Sequence, residues 1–100
     1  MAPALWPLET ANALLALARR GKITNGEREL AVAWLSKLPL DLDHEGASMA
    51  FGKLVQLASD QGLTIYDATY LELAIRKRLP LASEDRPLRQ AARRCRVRVL

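Results

Sequence analysis

The stretch LTIYDATYLELA (residues 63–74) decides how the second half of the chain is interpreted, because an acid lies inside a helical apolar pattern. On a period of 3.6 residues, Asp67 lies on the same side as Leu71 and Ala74, the side expected to face the interior. Glu72 falls on the other side and is interpreted as an ordinary surface acid. A carboxylate at the inner edge of a helix start has either a structural role or a chemical one.

Length and composition predict one domain, residues 1–100, in a reducing cytoplasm. The chain has 100 residues, half of them apolar, which is enough for a core. The single cysteine, Cys95, excludes an intramolecular disulfide framework. The longest apolar stretch, residues 11–18, is far shorter than the roughly 20 residues of a membrane span. The first ten residues lack the basic region and cleavage site of a secretory signal.

The charge is concentrated near the end of the chain. The net charge is +4, and the acids Glu84 and Asp85 lie among many bases. The basic residues of the tail are Arg76, Lys77, Arg78, Arg86, Arg89, Arg93, Arg94, Arg96 and Arg98. A basic surface attracts phosphate polyanions, but arginines on solvated helix faces have the same composition. The charge permits a nucleic-acid ligand without identifying one.

Five helices and three short strands are predicted. Gly21 and Gly62 are expected to end the first and third helices. A capping box at Thr24–Glu27 is expected to begin the second helix, and Thr64 is expected to cap the fourth. The predicted helices cover residues 4–20, 25–37, 45–61, 66–78 and 86–94, and the strands cover 38–43, 79–83 and 97–100. Alternation of strand and helix in the second half is typical of a parallel α/β sheet, whose ligands gather beyond the carboxyl ends of the strands.

Three acids occupy unexpected positions. Glu9 interrupts an apolar helix, Asp67 opens another, and Asp85 follows a predicted buried strand. Each has a structural interpretation: Glu9 favours the positive end of a helix, and Asp67 and Asp85 are candidate helix caps. Together they indicate acids that converge on one cleft and share a cation. Carboxylates with water are the ligand set of Mg²⁺ or Mn²⁺, which activate water against phosphodiesters.

Three segments resemble the PIN domain, above all the VapC-like ribonuclease toxins of bacterial toxin–antitoxin modules. They are APALWPLETANALL, LTIYDATYLELAIRKRLPLAS and ASEDRPLRQAAR, and the similarity runs in order through essentially the whole chain. The pairing of YDATYLELA with LPLASED is fairly specific; Glu-x-x-Asn on a leucine-rich helix is weaker.

The resemblance implies a function and a set of site residues. Glu9, Asp67 and Asp85 match three of the family's four metal-binding acids, with Asn12 and Ser83 as supporting polar positions. The family implies Mg²⁺- or Mn²⁺-dependent cleavage of RNA, inhibition by an antitoxin protein, and frequent dimers. The arginines expected to contact the RNA backbone are Arg76, Arg86 and Arg89.

One departure from the family pattern weakens this interpretation. Family members begin with a central strand ending in an aspartate, followed by a helix, and nothing before Glu9 supplies them. The expected fold is therefore a PIN-like three-layer α/β/α domain with a short parallel sheet, truncated at its N-terminus. With one acid missing, we expect activity to weaken or disappear, and exposed sheet edges to favour strand-exchanged dimers. The alternatives are a protein-interaction module, which binds an antitoxin or itself, and a simple RNA-binding domain.

Overall fold

The computed structural model describes all residues from Met1 to Leu100 and divides them into two compact units. The core unit comprises Met1–Ala4 and Leu42–Leu100, and the helical unit comprises Leu5–Asp41. None of the helices has the combination of length and apolar character that a membrane span requires.

The helical unit consists of two helices that pack against each other, α1 (Trp6–Arg19) and α2 (Asn25–Leu35). The predicted capping box begins α2: the Glu27 amide donates to Thr24 Oγ1 at 3.0 Å, and the Thr24 amide donates to Glu27 Oε1 at 2.9 Å. Neither helix contains a buried residue. This unit is therefore held by capping and partial burial rather than by a core of its own.

The core unit contains a two-stranded parallel sheet. Strand β1 (Ala2–Pro3) pairs with β2 (Leu42–Asp43), with Ala2 opposite Leu42 and Pro3 opposite Asp43. The sequence did not predict β1. The predicted strand over residues 38–43 is too long, since only its last two residues are in a ladder, and Pro39 cannot donate a ladder hydrogen bond.

The other two predicted strands are reduced to one parallel bridge. Leu81 pairs with Val99: the Leu81 amide donates to the Arg98 carbonyl at 2.8 Å, and the Leu100 amide donates to the Leu81 carbonyl at 2.9 Å. The prediction of strands over 79–83 and 97–100 was therefore right in direction and wrong in extent. The structure is a mixed α/β fold with a very short parallel sheet.

The predicted helix over residues 45–61 has three parts. A 3₁₀ turn (Gly46–Met49) leads through a π turn (Ala50–Leu54) into α3 (Val55–Gln61). Glycines at 46 and 52 lower the helix propensity of this segment, which explains its irregular start. Its end was predicted correctly, because Gly62 adopts a left-handed φ of 65° as the helix terminator.

The core lies around α4 (Ile65–Lys77) and α5 (Arg86–Arg94), which pack against each other. The side chains fully or nearly fully buried in this cluster are Leu71, Ala74, Leu81, Leu88, Ala91 and Ala92. α4 also packs against β1 and α3. Residues 63–74 therefore contain most of the central helix of the core unit, which packs against both the sheet and α5.

Candidate functional site

Asp67 lies in the first turn of α4 but does not cap it. The cap is Thr64, whose Oγ1 accepts a hydrogen bond from the Asp67 amide at 3.1 Å. The Asp67 side chain is half-buried, and the chain supplies no hydrogen bond or ion pair to its carboxylate. The structural interpretation of Asp67 as a cap is therefore wrong, and the carboxylate is available to a ligand.

Asp85 is the cap of α5. Its Oδ2 accepts a hydrogen bond from the Leu88 amide at 3.0 Å, and its own amide donates to Ser83 Oγ at 3.0 Å. The residue is exposed and follows the carboxyl end of the segment that contains Leu81. One carboxylate oxygen thus stabilises the helix start, and Oδ1 makes no hydrogen bond within the chain.

Arg89 fixes the ends of both bridged segments. Its Nη1 donates to the Ser83 carbonyl at 2.8 Å and to the Leu100 carbonyl at 3.0 Å. Arg86, the first residue of α5, is exposed. Of these two predicted RNA-binding arginines, Arg89 already has an intramolecular role, whereas Arg86 points to solvent.

Glu9 and Asn12 are exposed residues of α1, in the helical unit. No group of three or more His, Cys, Asp or Glu side chains is placed to hold a metal ion. The predicted convergence of Glu9 with Asp67 and Asp85 therefore stays a prediction.

A cluster of charges, which we call the Arg76 clamp, joins the end of β2 to α4. Arg76 Nη2 donates to Asp43 Oδ2 at 2.7 Å and Nη1 donates to Oδ1 at 3.0 Å, a bidentate pair. Arg76 Nε donates to Glu72 Oε2 at 2.9 Å, and Nη1 also contacts exposed Glu45 at 3.2 Å. The side chains of Asp43 and Glu72 are only 4% and 2% exposed. The interpretation of Glu72 as a surface acid is wrong, because Arg76 compensates its charge one helical turn away.

The hydrogen bonds of the clamp shift the pKa values of Asp43 and Arg76. Hydrogen bonds from the Arg76 guanidinium hold the pKa of the Asp43 carboxyl below its usual value of 3.8, although burial acts in the opposite direction. Hydrogen bonds to Glu72 and Asp43 raise the pKa of Arg76 above its usual range. The Gly46 amide donates to Asp43 Oδ2 at 3.2 Å. This engagement favours a structural role for Arg76 over the predicted contact with RNA.

Sequence reasoning missed this clamp in part because Asp43 and Arg76 are distant in the chain. The spacing of Glu72 and Arg76 by four residues on one helix was a usable signal for an ion pair. The charge of Asp43 carried no such local signal, since its partner is fixed only by the packing of β2 beside α4.

Comparisons with protein-family models, with curated protein sequences and with solved structures gave no match to this chain. The resemblance to the PIN domain therefore depends on the residues of this chain alone.

Proposed function

We propose that this chain is a metal-dependent endoribonuclease domain of the PIN-domain toxin type, a PIN-like α/β/α fold acting on RNA in the cytoplasm. The observation that carries the proposal is Asp67, a half-buried acid at a helix start that Thr64 already caps. Because Thr64 is the cap, the carboxylate of Asp67 is not needed to cap the helix start. Asp85, at the carboxyl end of the Leu81 segment, keeps one oxygen available.

The core unit alone does not have the donor set of a Mg²⁺ or Mn²⁺ site. It contributes Asp67 and Asp85, and the chain contains no group of three suitable side chains in position. The third acid that the resemblance implies is Glu9, a residue of the helical unit. With the two acids of the core unit alone we expect weak ion affinity and slow cleavage, because divalent ions of this class need several oxygen ligands.

Cleavage of a structured RNA with Mn²⁺, and with chelator, tests the proposal. The Asp67→Asn variant should lose the metal-dependent cleavage, because it replaces a charged ligand with a neutral amide. Glu84→Gln is the matched control, since Glu84 is an exposed acid next to Asp85 with no proposed role. Cleavage that is equal with and without chelator, or equal in wild type and Asp67→Asn, would contradict the proposal.

Asp85 has two roles to distinguish, the observed capping of α5 and the proposed binding of a metal ion through its charge. Asn is as good a helix cap as Asp, so Asp85→Asn should keep the stability and lose the metal-dependent cleavage. Asp85→Ala should also cost about 1 kcal/mol of unfolding free energy, because the Leu88 amide loses its acceptor. Full cleavage by the Asp85→Asn variant would mean that Asp85 caps α5 and takes no part in metal binding.

A second candidate function is a protein-interaction module. Leu30 and Trp34 lie one turn apart on α2 and are 74% and 68% exposed, which favours a partner such as an antitoxin or a second copy of the chain. Light scattering over a range of concentrations tests self-association. If the wild type forms a dimer, Trp34→Glu should dissociate it. A monomer at every concentration would exclude a second copy of the chain as the partner of this surface.

A further inference from the structure

Two arginines of the core unit lie where the backbone favours glycine. Arg78, which follows α4, has a φ of 54°, and Arg96, just after α5, has a φ of 60°; no other non-glycine residue has a positive φ. The left-handed conformation is unfavourable for an L-residue, because Cβ comes too close to the following carbonyl oxygen. Such strain persists where another requirement outweighs it, and functional sites are a common place for it.

The fold places these two arginines side by side. The Leu79 amide donates to the Ala74 carbonyl at 2.9 Å, and the Val97 amide donates to the Ala92 carbonyl at 2.8 Å. Both helices thus end in the same hydrogen-bonded turn. Three residues after each arginine come Leu81 and Val99, the residues that form the parallel bridge. Arg78 and Arg96 therefore precede the parallel bridge by the same number of residues, and both line one pocket.

Both arginines line one pocket of about 330 Å³, which we call the arginine pocket. Arg98 is the third basic residue in its wall, and no acidic residue lines it. The other lining residues are Ala74, Ile75, Leu79, Pro80, Cys95 and Val97. The volume is at the lower end of the range for small-molecule sites. The lining thus combines six uncharged residues with three arginines.

The charge of the pocket is not compensated within the chain. The guanidinium groups of Arg78, Arg96 and Arg98 make no salt bridge, whereas Arg76 contacts three acids. The carboxyl ends of α4 and α5 lie nearby, and each helix end carries roughly −0.5 of an elementary charge. Two such ends offset about one of the three positive charges, so a net attraction for anions remains.

We propose that the arginine pocket binds a nucleotide, with the phosphate held by Arg78, Arg96 and Arg98 and the base or ribose against the apolar side chains of the lining. Planar guanidinium groups suit phosphate oxygens. The apolar lining suits the flat face of a base. The same chemistry is offered by a free nucleotide and by one nucleotide of an RNA strand. Neither Asp67 nor Asp85 lines the pocket, so this binding does not depend on the proposed cleavage.

Cys95 provides a direct probe of occupancy, because the only cysteine of the chain lies in the pocket wall. Three probes are compared by calorimetry and by the rate of Cys95 alkylation: inorganic phosphate, adenosine 5′-monophosphate and a short single-stranded RNA. We expect the nucleotide or the RNA to bind and to slow alkylation, and phosphate to bind more weakly. Protection by RNA alone would identify an RNA strand as the source of the nucleotide.

The variant Arg78→Gly with Arg96→Gly removes two charges while relieving the backbone. It should bind at least about tenfold more weakly, since each charged hydrogen bond to phosphate contributes substantially. Arg19→Gln with Arg20→Gln is the matched control, because it removes the same charge from the helical unit. Arg98→Gln tests the third arginine without a change at a strained residue, and should also weaken binding.

Three results would overturn the proposal. They are no binding by any probe, equal affinity for phosphate and the nucleotide, and equal protection of Cys95 in the double glycine variant. Loss of RNA cleavage with intact nucleotide binding would instead count only against the proposed nuclease, so the two failures are distinguishable.

Discussion

Arg76 and Arg78 lie two residues apart at the end of α4, and the fold treats them in opposite ways. The Arg76 side chain is 17% exposed and is held by Asp43, Glu72 and Glu45. Arg78 is exposed, adopts a left-handed backbone and has no acidic partner. The difference separates two kinds of arginine. Where acids compensate its charge, as at Arg76, it joins secondary-structure elements; where none do, as at Arg78, we propose that the charge binds a ligand.

The largest effect is expected from the clamp. Arg76→Ala leaves the buried carboxylates of Asp43 and Glu72 without their partner, which should lower the unfolding free energy by ~3–5 kcal/mol. Urea denaturation measures this change. Arg76→Lys is the matched control, and it should lose less, because it keeps the charge but not the bidentate geometry. A loss from Arg76→Ala no larger than that of an exposed arginine would refute a structural role for the clamp.

Acid should weaken the clamp. The pKa of Asp43 is lower in the folded chain than its usual 3.8, so the unfolded state binds a proton first as the pH falls. The stability that Asp43 contributes is therefore complete above its usual pKa and is lost as the pH falls through the lower folded value. Unfolding followed from neutral pH to about pH 3 measures it.

Asp43→Asn is the test of that assignment. The variant should be less stable than wild type at neutral pH, and its stability should fall less steeply with acid, since the perturbed carboxyl is absent. If wild type and Asp43→Asn have parallel stability profiles below about pH 5, the acid dependence comes from other carboxyls.

The smallest effect, opposite in sign, is expected at the strained arginines. Arg78→Gly and Arg96→Gly should each raise the unfolding free energy by about 1 kcal/mol, because glycine adopts the left-handed conformation without a Cβ clash. Arg93→Gly is the matched control: Arg93 lies inside α5, where glycine costs up to about 1 kcal/mol. If Arg96→Gly destabilises the protein as much as Arg93→Gly does, the backbone of Arg96 is not strained.

Local signals in the sequence predicted much of this fold. The caps at Thr24 and Thr64, the stop at Gly62 and the bounds of α5 depend on residues within one turn of each helix end, so they could be predicted without tertiary information. The strands could not, because a two-residue ladder such as Ala2–Pro3 has no periodicity of its own.

The candidate site was less predictable for the same reason. The capping role of Asp85 was recognised from the proline at the start of α5. Whether Asp67 was a cap depended on where α4 begins, and Thr64 caps it three residues earlier. Arg78 and Arg96 gave a weak signal, since each follows a helical pattern where a glycine terminator is more common. Their proximity depends on the pairing of Leu81 with Val99, which sequence periodicity alone does not establish.

The central claim is that a guanidinium left uncompensated by the fold serves a ligand. It is tested most directly by the unfolding free energy of wild type and of the Arg78→Gly, Arg96→Gly variant, with and without adenosine 5′-monophosphate. Without ligand, the variant should be the more stable; at about 100 times the dissociation constant for wild type, the ligand should add about 2.7 kcal/mol to wild type but only about 1.4 kcal/mol to a variant that binds tenfold more weakly, so the stability difference between the two should shrink by about 1.3 kcal/mol. Equal stabilisation of both proteins, or of neither, would contradict the claim.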